Sequence, residues 1–250
     1  MYMARRRFFV NSIHDSRAEL AGEDALHLAR VLRAAPGERY EISDNAGVYL
    51  AEIESARKDR VVFRVLEPVE SVPPPVEVTL LAALFKFDRF EWMVEKVTEL
   101  GVVRIVPVVA ERSERGLNKA AVKRVERWRR IAVEASQQSR RARLPEITEA
   151  EPFEHAVTRT YAQRFLLDEM PGGVPLATAM RDKEVAMLCG PEGGWTSAER
   201  QRAVEAGWQP VTLGPTILRA ETAAMAALAV AQNLGTARMF PYYSRRASSK

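Results

Sequence analysis

The chain has 250 residues, 47% hydrophobic and 28% charged, with a formal net charge of +4. Those proportions describe a folded chain with a real core, in one large domain or two modest ones. No window approaches the roughly 18 apolar residues of a membrane span, the single cysteine, Cys189, excludes an internal disulfide, and His14, His27 and His155 show no metal-ligand spacing.

The opening MYMARRRFFVNS is basic but lacks the apolar run and cleavage site of a signal peptide, so a cytoplasmic protein is expected. EDALHLARVLRAAPG predicts a short helix closed by Pro36 and Gly37. ERYEISD, GVYLAEIES and DRVVFRVLE alternate as strands do, with DNAG as a turn between the first two, which makes a small, mostly β domain. PVESVPPPVEV (68–78) is the linker, because three consecutive prolines cannot feed a helix.

Beyond it the rhythm becomes strand and helix in turn. VTLLAAL, the helix DRFEWMVEKVTELG, VVRIVPVVA, a long basic helix, RFLLD, EVAMLCG and QPVTLG follow one another, which argues for a largely parallel sheet covered on both faces. Phe90, Met93, Val94, Val97 and Leu100 form the core stripe of the first of these helices, and Gly101 suits its C-terminal cap. Residues 112–143 hold eleven Lys or Arg against three acids, a local balance of +8 that leaves −4 for the remainder. Such asymmetry suggests a polyanion partner, the plainer alternative being a solvated helix face. The closing SRRASSK is expected to be disordered.

EVAMLC is apolar enough for a buried parallel strand, and TSAE (196–199) has the capping-box pattern that opens a helix. GPEGGW therefore joins the carboxyl end of a strand to a helix, where open α/β sheets bind ligands. QPVTLG, GPTILR and AETAAMAALAVAQNLG repeat the arrangement, the last ended by Gly235, and two such loops from neighbouring strands would form one crevice. A phosphate is the usual ligand of a glycine loop feeding a helix. Here GPEGG matches neither GxGxxG nor the Walker pattern, and Glu192 would repel a phosphate. A nucleoside-like ligand without phosphates, held by main chain that glycine leaves accessible, fits better, and S-adenosylmethionine meets that description. Each glycine could instead simply make a tight turn.

LCGPEGGWTSAE followed by LGPTILRAETA closely resembles the paired signature of the SPOUT-type methyltransferases that methylate N3 of a uridine in small-subunit (16S) ribosomal RNA, the RsmE-type family. HLARVLR with PGE, EKVTELGV with IVPVVAERS, and EASQQSRR followed by LPEI extend the likeness over nearly the whole chain. It implies a PUA-like β-barrel over residues 1–72 that helps grip RNA, then a SPOUT α/β domain over residues 76–243 whose end is tucked through a trefoil knot. It also implies a homodimer with the active site close to the subunit interface, acting on small-subunit ribosomal RNA or the assembled small subunit without a metal.

By the same likeness, S-adenosylmethionine lies among Leu188, Gly190, Pro191, Glu192, Gly193, Leu213, Gly214, Ile217 and Leu218. Arg219 would stabilise the negative charge that develops on the uracil, and Glu221 would accept the proton or orient that arginine. A structural ion pair between the two is the competing role. RNA contacts carry over to Arg7, Arg33, Lys86, Arg112 and Arg141, with His27 a further position; Lys96 and Glu99 belong mainly to helix structure. The chain departs from the family pattern at Thr216, where a basic residue is usual, at Phe87 and Arg140, where glycine is common, and at Gln137, where Glu is common. Two other functions stay open: a SPOUT methyltransferase acting on another RNA position such as a ribose 2′-OH, and a non-catalytic RNA-binding assembly factor.

Overall fold

The structure is a computed structural model and describes residues 6–57, 59–114, 116–170 and 173–239. SRRASSK and Arg115 of the basic run lie outside the described residues. The chain divides into two compact units, Met1–Pro73 with Val133–Leu144, and Pro74–Ala132 with Pro145–Lys250. Residues 69–76 carry neither helix nor strand.

In the first unit, β1 (Arg7–Phe9), β2 (Ile13–His14), β3 (Arg17–Ala21), β4 (Arg39–Ser43), β5 (Val48–Arg57) and β6 (Arg60–Pro68) form a sheet in the order β1-β4-β5-β6-β3-β2. Its edge strands β1 and β2 do not pair with each other, so the expected barrel is an open six-stranded sheet among the described residues. The alternating stretches become β4, β5 and β6. DNAG turns as expected, with the Asp44 carboxylate accepting from the N–H groups of Ala46 (3.0 Å) and Gly47 (2.8 Å) and Asn45 at φ +68°. Strand β1 gives no alternation to read, because all three of its residues are buried. The expected helix is α1 (Gly22–Leu26) continued by a π-helical turn, His27–Val31. It stops short of Pro36 because Arg33 takes a left-handed φ of +51°.

The second unit contains β7 (Glu77–Ala83), α2 (Phe87–Glu99), β8 (Arg104–Val109), α3 (Leu117–Gln138), β9 (Glu146–Ile147), β10 (Glu151–Pro152) and α4 (Phe153–Val157). After these come β11 (Gln163–Leu167), β12 (Val174–Pro175), α5 (Leu176–Ala179), β13 (Glu184–Cys189), α6 (Ser197–Glu205), β14 (Gln209–Thr212) and α7 (Ala220–Met239). The last residues of α3 fall in the first unit. Every strand pairing in this eight-stranded sheet is parallel, in the order β10-β8-β7-β13-β11-β14-β12 with β9 beside β8.

Both faces are covered, as near-continuous apolar strands require. Leu80, Ala82, Val185, Met187 and Cys189 belong to one core cluster with α2, α3 and α7 residues, while Leu81, Ala83, Ala186 and Leu188 belong to the opposite cluster with α4 and α6 residues. The predicted stripe of α2 is buried at Phe90, Met93, Val94 and Val97, and Gly101 ends the helix at φ +95°.

Helix α7 does not end at Gly235. It runs on to Met239, and the glycine serves close packing instead: a Cβ there would lie 2.5 Å from Val76 Cγ2, 2.8 Å from Pro75 Cβ and 3.1 Å from the Pro75 carbonyl carbon. Gly235→Ala should therefore destabilise the protein by about 1–3 kcal/mol through overpacking, although alanine is by itself the better helix former by about 1 kcal/mol. A denaturant midpoint that rises in the variant would refute this.

Candidate functional site

Three adjacent strands, β13, β11 and β14, end at the same edge of the sheet, and the chain beyond each lines a cavity of about 380 Å³. The expectation that the two glycine loops leave neighbouring strands is corrected: β11 stands between β13 and β14 and adds Leu167, Asp168 and Glu169 to the wall. From β13 come Cys189 and, in the loop after it, Gly190, Pro191, Glu192, Gly194 and Trp195, and from β14 come Val211, Thr212 and the loop through Arg219. The capping box is formed as read, with Thr196 Oγ1 accepting from Glu199 N–H (3.2 Å) and the Glu199 carboxylate from Thr196 N–H (2.9 Å). The same carboxylate also takes the N–H of Glu111 (2.9 Å).

Gly190, Pro191, Glu192, Leu213, Gly214, Ile217 and Leu218 line the cavity as expected. Leu188 does not, because side chains alternate along a strand and its own packs into the core of the opposite face. Gly193 is not in the lining either; its carbonyl accepts from Arg112 Nη1 at 2.8 Å. Gly190 is needed where it stands, since a Cβ would come 3.1 Å from Trp195 Nε1, and Gly214 lies at φ +144° with open space where a side chain would be. A flat, main-chain-walled ligand has room beside both.

Charges in the wall are mostly matched. Arg200 donates to both Asp168 carboxylate oxygens at 3.0 Å and to the Trp195 carbonyl at 2.6 Å. Arg89, from the first turn of α2, pairs with Glu192. Glu192 is thus neutralised, and the sequence argument that its charge alone repels phosphate does not hold; the missing Walker lysine remains. Glu169 stays 3.8 Å from Arg200 and 43% exposed. Sequence reasoning missed Arg89, Asp168, Glu169 and Arg200, which no local pattern marks.

Arg219 lines the cavity and is exposed, whereas Glu221, two residues on in the first turn of α7, is 3% exposed with no hydrogen-bond partner for Oε2 among the described residues. They form no ion pair among the described residues. Glu221 acts on Cys189: burial first, and its carboxylate second, push the thiol up to about 12. Cys189 Sγ donates to the Ala220 carbonyl at 3.3 Å.

The residues expected on RNA are not alike. Arg33, Lys86 and Arg112 are exposed. Arg141 is half-buried, and burial pushes its guanidinium down to about 10. Arg7 is corrected: it is 6% exposed, paired with Glu41 at 2.7 Å, and donates to the Arg140 carbonyl at 2.7 Å, so it braces the first unit. Among the departures, Arg140 sits at φ +56°, which explains why glycine suits that position, and Gln137 is buried. No group of metal-ligating side chains occurs among the described residues.

An RNA methyltransferase domain model matches residues 72–232, and an RNA methyltransferase PUA domain model matches residues 20–66. The ribosomal RNA small subunit methyltransferase E of Bacillus subtilis is 32% identical over 84% of this chain and 87% of its own length. That of Synechocystis is 35% identical over 81% and 68%. The chain belongs to the ribosomal RNA small subunit methyltransferase E family. A solved family member from Neisseria gonorrhoeae, bound to S-adenosyl methionine, superposes with a TM-score of 0.84 at 31% identity, covering 92% of this chain and 98% of that one. A Legionella pneumophila methyltransferase in complex with the same cofactor gives 0.82 at 28% identity. The family's N-terminal PUA domain and α/β core are both present.

A thiol that is 2% exposed and holds its proton to about 12 is not a nucleophile. At pH 8 iodoacetamide should leave the native protein unmodified and alkylate it only in denaturant; rapid alkylation of the native chain would contradict the burial of Cys189. Above pH 9 the unfolded chain gives up this proton while the folded chain keeps it, so Cys189 contributes a loss of stability between pH 9 and about 12 that Cys189→Ala should remove.

Proposed function

We propose that the protein is an S-adenosylmethionine-dependent methyltransferase that methylates N3 of a uridine in small-subunit (16S) ribosomal RNA. The observation that carries this reading is the cavity at the ends of β13, β11 and β14, walled by two glycine loops, apolar side chains and mostly paired charges, with an exposed arginine at its rim. When bound, the cofactor supplies an electrophilic methyl group on a sulfonium. Gly190, Pro191, Leu213, Gly214, Ile217 and Leu218 would hold it, largely through backbone.

Arg219 would stabilise the negative charge that spreads to the uracil O2 and O4 as N3 gives up its proton, ahead of a methyl transfer in which the N–C bond forms, the methyl–sulfonium bond breaks and a neutral thioether leaves. Glu221 orients that arginine or takes the proton, a role in keeping with a buried carboxylate whose Oε2 has no hydrogen-bond partner among the described residues. We infer a division of labour in which residues 1–72 grip RNA and residues 76–243 carry the chemistry. Arg33, Lys86 and Arg112 are the exposed contacts to phosphates or unstacked bases, and Arg141 is a half-buried one. We further infer a trefoil knot at the chain's end, in keeping with three loops converging on one cavity, and a cytoplasmic homodimer with the active site near the subunit interface, in keeping with the exposure of Ile217 (77%).

Mass-spectrometric mapping of small-subunit RNA after reaction should find 3-methyluridine; a methyl on ribose or on another ring atom would refute the assignment. Arg219→Lys and Glu221→Gln should each lower kcat by roughly 10²-fold or more while S-adenosylmethionine affinity is retained. Full turnover in either variant removes that residue from the mechanism.

A further inference from the structure

The GPEGG loop is held by side chains that do not belong to its own strand and helix. Arg89 reaches it from α2 and pairs with Glu192, and Arg112, just beyond β8, donates to the Gly193 carbonyl at 2.8 Å. The Arg112 chain lies flat on the glycine, its Cβ and Cδ each 3.4 Å from where a Gly193 Cβ would be. Between the two contacts the loop makes a main-chain bond of its own, from Gly194 N–H to the Pro191 carbonyl at 2.8 Å.

A glycine-rich loop samples many conformations, and ordering it at the moment of binding weakens affinity; contacts that order it beforehand restore that affinity. We propose that Arg89 and Arg112 are positioning residues for the cofactor, a clamp that fixes the main chain of residues 190–194 against the cavity through the Glu192 carboxylate and the Gly193 carbonyl. This inference rests on the cofactor reading of the cavity. It gives Arg112 a task that the sequence assigns to RNA contact, and gives Arg89 one that no motif signals.

Calorimetric titration with S-adenosylmethionine tests the clamp without RNA. Both members of the ion pair are about one-third exposed, so Arg89→Ala should weaken binding by about threefold, Arg112→Ala by a similar factor, and the double variant by about tenfold. Thermal midpoints should stay at the wild-type value. Arg112→Lys, which keeps a donor, should recover most of the loss, and Arg89→Ala/Glu192→Ala should bind no worse than Glu192→Ala alone, because one contact is lost in both. In turnover, Arg89→Ala should raise the KM for the cofactor while kcat at saturation holds. Unchanged affinity in Arg89→Ala and Arg112→Ala, or losses that merely follow a falling thermal midpoint, would overturn the clamp and leave the cofactor reading standing. Absence of binding by the wild type would overturn both.

Discussion

When strands run in the same direction they all finish at one edge of the sheet, and in the second unit every pairing is parallel. The chain leaving each strand there carries N–H and C=O groups that no neighbouring strand pairs, so they must turn to side chains, water or a ligand. Burial on both faces adds the second half of the constraint. VAMLC has to be apolar because it is buried, and the strand's one charge, Glu184, sits exposed at the opposite end from the cavity, so the chemistry moves to the loops. The cavity at the ends of β13, β11 and β14 follows from these two facts, and its main-chain walls suit a ligand recognised by shape and backbone.

Electrostatics then decides which groups inside that cavity remain available. Asp168 is committed to Arg200 and Glu192 to Arg89, and each pair also ties down a segment of wall. Arg219 is left exposed at the rim, with Glu221 buried two residues on. A cation that already faced a carboxylate would have little left for a developing anion; Arg219, with no ion pair among the described residues, keeps its full charge for one. Cys189 stays a thiol because its own burial first, and the neighbouring Glu221 carboxylate second, penalise a thiolate.

Much of this was legible in the sequence because it is local. The α2 stripe, Gly101 as a cap, the capping box at Thr196 and Glu199, the DNAG turn and the two glycine loops each declare themselves within a dozen residues. What was not legible depends on partners distant in the chain. Strand order cannot be read from RFLLD, EVAMLCG and QPVTLG, so the place of β11 between the other two, and with it Asp168 and Glu169, was missed. Gly235 looks like a helix stop until Pro75 and Val76 are seen packed against it. Leu188 falls inside the loop signature, yet the two-residue period of its strand turns the side chain to the opposite core. Arg7 reads as a free cation because Glu41 and Arg140 are far along the chain.

The basic run shows the same limit most sharply. Its +8 balance counts residues, whereas a polyanion responds to cations that no carboxylate or carbonyl has already engaged. Arg124 and Arg127 share Glu91, Arg129 is spent on the Ile147 carbonyl and on Glu126 and Glu149, and Arg140 pairs with Glu41. Lys119 and Lys123 remain exposed without an ion pair among the described residues. Counterion release scales with the phosphates neutralised, so an RNA grip built on this chain draws on a few placed cations and on the geometry that presents them, and its salt dependence is that of those few.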